Sequence, residues 1–134
     1  MSQTHASSRK LAAALAARLD RLVPDPLAVT VDDANVVIMV RQQEAGSSGA
    51  AAILDDDDGR DPLERAETAA RAVLSGVQDC VIEELRERWP APVREAELPL
   101  PGVRIINGEL HSWYGEEEGP SVRLDAISLR DLAD

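Results

Sequence analysis

The chain has 134 residues and carries 14 Lys and Arg against 25 Asp and Glu, a net charge of −11. That length suits one domain, and that charge argues against direct binding of nucleic acid or docking on an anionic membrane, which both draw on basic residues. A hydrophobic share of 44% is too high for a disordered acidic chain, and no apolar run approaches the ~18 residues of a membrane span.

The first seven residues, Met1 to Ser7, read as a flexible polar start with no secretory leader. Ser7 or Ser8 can cap a helix over 8–22, in which Leu11, Leu15, Leu19 and Leu22 recur at three- and four-residue steps and alanines fill the gaps. Pro24 and Pro26 stop it. Leu27, Val29 and Val31 alternate as one strand, and Val36 to Val40 is a β-branched run that reads as a second. Gln42 to Gly49 reads as a flexible loop and Ala50 to Leu54 as the third strand of a meander.

Asp61-Pro62-Leu63-Glu64 is a helix start, with a capping acid, a proline at the first helical position and a following acid. The pattern predicts a helix over 61–88, long for a domain of this size. Gly76 lies inside it, a residue tolerated where a second backbone comes close. Leu63, Ala66, Ala70, Val73, Leu74 and Val77 share one face, whereas Ile82, Leu85 and Trp89 lie on a face turned by roughly 100°. Pro92, Pro99 and Pro101 predict an extended connection. Asn107-Gly108 between two alternating runs marks a hairpin. A loop over 115–120 then leads to a last strand through Val122, Leu124 and Ala126, and 128–134 is a short tail.

The expected architecture is α+β in the order α-βββ-α-ββ, a single domain over 1–134. It has an antiparallel sheet of about five strands, with the first helix and the long helix on one face.

The chemistry-bearing residues are few. Asp55-Asp56-Asp57-Asp58-Gly59 fails the EF-hand pattern, because aligning on Gly59 puts Leu54 first and Arg65 twelfth. It reads as a solvated acidic loop, as does Glu116-Glu117-Glu118. His5 and His111 have no partner at metal-ligand spacing, so no metal and no cofactor are expected. Cys80 alone permits no internal disulfide and reads as a packed thiol in a reducing compartment, hence a cytoplasmic protein. Nucleophile-elbow and phosphate-loop patterns are missing, which makes an enzyme the poorer reading. Thirteen arginines stand against one lysine, Lys10, a usage typical of high-GC bacterial coding.

Trp89, Trp113 and Tyr114 are the only aromatics. Large aromatics anchor interfaces, and one flat sheet cannot cover both stripes of the long helix. Ile82, Leu85, Trp89, Trp113 and Tyr114 are therefore the candidate partner-binding residues. Trp113 and Tyr114 are adjacent on a strand, so at most one of them faces the domain's own helices.

Size, acidity and the order of elements (the helix over 8–22, the meander over 27–54, the long helix over 61–88 and the strands over 103–127) resemble the class I type III secretion chaperones and the related YbjN-type fold. The family's last helix is reduced here to 128–134. The resemblance implies a homodimer that binds an extended segment of another protein. The leading expectation is a non-enzymatic protein-binding module. Two alternatives stand beside it: an acidic inhibitor or immunity-type protein that masks a basic target, and a small ligand binder or enzyme using His111 with Glu109.

Overall fold

In the computed structural model, which describes residues 7–55, 59–91 and 98–133, helix α1 spans Ser8–Asp20. Ser7 caps it, and its hydroxyl accepts from the Lys10 N–H at 3.3 Å. Leu11, Leu15 and Leu19 of the expected stripe are fully buried, with Ala12 and Ala16 beside them. A three-stranded antiparallel meander follows: β1 (Leu27–Asp32), β2 (Asn35–Val40) and β3 (Gln43–Ser48). Leu27, Val29 and Val31 stand opposite Val40, Ile38 and Val36. Over β1 and β2 one face of the sheet is thus aliphatic, and α1 packs on it.

The third strand is not the expected one. Gln43–Ser48, expected as a loop, is β3, and the expected strand Ala50–Leu54 is a 3₁₀ helix over Ala50–Asp55. A segment of Gly and Ser has little strand propensity of its own. Tertiary packing recruits it, because a helix lies directly on its small residues. A Cβ on Gly46 would come within 2.8 Å of Cys80 Sγ, and a Cβ on Gly76 within 3.2 Å of the Ser48 side chain. Gly76 thus lies close to the Ser48 side chain, whereas the expectation was a close backbone.

That helix is α2, Pro62–Leu85. Asp61 is its N-cap and accepts from the Leu63 N–H at 3.0 Å, with Pro62 at the first position. It ends three residues before the expected boundary, at Arg86, whose left-handed φ of 60° returns its N–H to the Ile82 carbonyl at 2.8 Å.

The remaining strands form a second antiparallel sheet, so the strands divide between two sheets instead of making one of about five. β4 (Pro101–Ile106) and β5 (Glu109–Glu116) are joined by Asn107-Gly108, both at positive φ, the geometry that Asn-Gly favours. The expected loop over 115–120 is tighter than read: β5 runs on to Glu116, only Glu117 and Glu118 form the tip, and β6 is Gly119–Arg123. After a break at 124–126, β7 (Ile127–Ser128) rejoins β5. A single turn, α3 (Leu129–Leu132), buries Leu132. The Ser7 N–H donates to the Leu132 carbonyl at 2.7 Å, and the Lys10 ammonium donates to the Ala133 carbonyl, so the last turn is tied to the start of α1.

α2 packs against both sheets. Gly76 and Cys80 approach β3, whereas Glu67, Leu74 and Gln78, on the opposite side of the wheel, reach the second sheet and its approach. The buried arc from Ala69 round to Gln78 covers roughly 180° of the helix, well beyond the ~100° stripe of a one-sided helix. Among the described residues no helix is long and apolar enough to cross a membrane.

Candidate functional site

The second sheet accounts for the stripe that seemed surplus. Ile82 and Leu85 are half-buried against the core, and Trp89 is only 7% exposed. The Trp89 ring meets the Tyr114 ring edge-on, with centroids 5.3 Å apart. Tyr114 is fully buried, and its hydroxyl donates to the Leu74 carbonyl at 2.6 Å. Gln78, itself buried, donates to the carbonyls of Trp89 and Pro99 and ties both ends of the connection between α2 and β4 to the helix. The rotated stripe of α2 is turned because it serves a different sheet. This corrects the expectation for Trp89 and Tyr114, which are covered within one chain, whereas Ile82 and Leu85 pack against the core and keep part of their surface exposed.

Trp113 differs. Leu110, Ser112 and Tyr114 point inward and are fully buried. Trp113 points to the outer face yet is only 6% exposed, and it stands apart from the hydrophobic core cluster. Its ring lies across Gly102, where a Cβ would come within 2.5 Å of it, and the Arg123 guanidinium sits 5.6 Å from its centroid.

The other described candidates lie apart from one another in the fold. His111 is half-buried beside Glu109, Nε2 to Oε1 3.8 Å, and directly across from Arg104. Cys80 is half-buried. Burial first, and then Glu84 and Glu83, push its thiol pKa up, away from the thiolate form. Burial, and secondarily Asp79, push the Tyr114 hydroxyl up as well. Asp55 accepts from the Ser8 hydroxyl at 3.0 Å; Asp56, Asp57 and Asp58 lie outside the described residues, as does His5. Among the described residues no group of three or more His, Cys, Asp and Glu side chains could hold a metal ion.

The sheet edges carry the clearest pattern. On β1, the Val29 N–H donates to Asp20 Oδ1 at the end of α1, at 2.8 Å. On β4, the Ile105 N–H donates to Glu67 Oε2 of α2, at 2.9 Å. Where the last strand breaks, Arg18 donates to the Asp125 and Ala126 carbonyls at 2.8 and 3.1 Å, and β6 itself contains Pro120, which has no N–H. The β1 and β4 edges thus each have an N–H capped by a charged helix side chain, Arg18 holds the break after β6, and Pro120 removes one N–H from β6 itself, devices that blunt exposed strands. On the outer edge of β3, bonded only to β2, no such closure occurs among the described residues, and Gln43, Glu44 and Ser47 are exposed. Sequence reading missed this edge because its residues look like a loop. It also missed Glu67, which shares a wheel face with the buried Leu74 and Gln78.

A groove of about 510 Å³ lies at the β5–β6 tip, lined by Arg104, Arg123 and Glu116 to Glu118. Arg104 Nη2 pairs with Glu117 Oε1 at 2.8 Å, and Arg123 donates to the Glu117 carbonyl at 2.8 Å. Comparison of the chain with protein-family models, with curated proteins and with solved structures gives no match.

Proposed function

We propose that this chain is a protein-binding module that takes an extended segment of a partner as an added strand along β3. One observation carries the reading. The edges of β1 and β4 and the break after β6 are met by Asp20, Glu67 and Arg18, while among the described residues no side chain closes the outer edge of Gln43–Ser48. Strand addition supplies affinity through main-chain hydrogen bonds and needs only a free edge. The net charge of −11 favours a segment with basic flanks, both in its approach and in its choice of partner.

Amide hydrogen exchange tests it, with a peptide of about ten residues in which Val and Thr alternate between Lys flanks. Binding should slow exchange within Gln43–Ser48 and leave Pro101–Ile106 unchanged. Proline at Glu44 or Ser47, tolerated on an edge strand, should abolish that protection in at least one of the two variants while the circular dichroism is kept. The reading fails if no Lys-flanked strand-forming peptide protects β3. It fails equally if light scattering finds the edge already occupied by a second copy of the chain.

A further inference from the structure

We propose that Arg104, Glu117 and Arg123 form a salt-sensitive strap that keeps Trp113 covered on the outer face of the second sheet. Trp113 is the one large aromatic that points away from the core, and it is nonetheless buried. Its position on β5 is paired with Gly102 on one side and Arg123 on the other. Gly102 leaves room for the ring to lie flat across β4. Arg123, itself exposed, supplies cover from the opposite strand by sitting over the ring. Arg123 is in turn held by the Glu117 carbonyl, and Glu117 is held by Arg104 through its carboxylate. The three residues thus run from β4 across the hairpin tip to β6, on the face where the ring lies.

Every link of this strap is a solvent-exposed polar contact: the Arg104 and Glu117 side chains are 56% and 38% exposed. Such contacts are weak and are screened by salt. A tryptophan in the core is covered by packing that salt does not loosen. One covered by a charged strap is not, so its accessibility becomes adjustable by ionic strength or by a competing charged group. An exposed tryptophan has the character of an interface anchor. The inference stands apart from the strand-addition reading, because it concerns the opposite sheet and its test needs no partner.

Acrylamide quenching reads it out directly. Trp89→Phe leaves Trp113 as the sole tryptophan, excited selectively at wavelengths that Tyr114 does not absorb. Between about 20 mM and about 1 M NaCl its quenching constant should rise by roughly twofold or more. In Glu117→Gln and Arg104→Gln, made in the Trp89→Phe background, it should already be high at low salt and change little with salt. If Trp89→Phe compromises folding, hydrogen exchange of the Trp113 indole N–H in the otherwise unaltered chain, with its resonance assigned from Trp113→Phe, gives the same readout. Quenching or exchange that is low and independent of salt, and unmoved by either substitution, overturns the strap. So does a Trp113 that is freely quenched at low salt in the unsubstituted strap.

Discussion

Ser112 is a buried hydroxyl on the inner face of β5 with no hydrogen-bond partner among the described residues. An unsatisfied buried hydroxyl costs stability, and its removal recovers part of that cost. Ser112→Ala should therefore leave stability unchanged or raise it by up to about 1 kcal/mol in urea unfolding. Tyr114 is the opposite case, because its hydroxyl has a partner in the Leu74 carbonyl. Tyr114→Phe should cost about 1 kcal/mol. The pH dependence follows from the same residue. Burial raises the folded-state pKa above the unfolded value of about 10. The contribution is intact below that value and is lost as the pH climbs past it. Tyr114 is the only tyrosine, so the ultraviolet step of phenolate formation should coincide with alkaline unfolding. Tyr114→Phe should remove that part of the pH slope.

At the scale of elements, the contact between α2 and β3 is set by absent side chains. Gly46 lies under Cys80, and Gly76 lies over Ser48. Gly46→Ala places a methyl 2.8 Å from Cys80 Sγ, so it should destabilise by about 1–3 kcal/mol. Cys80→Ala makes room, and the double variant should recover much of the loss, a coupling that a double-mutant cycle measures. The same contact shows what a sequence conceals. Helix starts announce themselves, as Ser7 and Asp61 do through their capping hydrogen bonds, and so does the Asn107-Gly108 turn. Strand β3 does not, because the small residues that suit it to lie under a helix are those that also mark a loop.

At the scale of the molecule, α1 and α2 cover the sheets and also guard their edges, through Arg18, Asp20 and Glu67. Replacing Asp20 and Glu67 together with alanine should free the Val29 and Ile105 N–H groups, cost about 2 kcal/mol, and produce association that grows with concentration in light scattering. Either single variant should associate less. A double variant that stays as monodisperse as the parent would show that the edges are blocked by something other than these carboxylates.

The sequence by itself determined the α+β class, the extents of α1 and α2 to within a few residues, the first two strands and the Asn107-Gly108 hairpin. These rest on periodicity, capping and turn chemistry, which act over a few residues. It also revealed that α2 carries two apolar stripes, at Leu74 and Val77 and at Ile82, Leu85 and Trp89. Only the tertiary structure decided what covers the second stripe. A second sheet receives it, and residues that looked like an interface became part of one core. It also decided which edges are capped, since Asp20 and Val29, or Glu67 and Ile105, meet only when helix and strand are brought together. Local patterns record which face of an element is apolar. Which surface then covers that face depends on contacts between residues far apart in the chain.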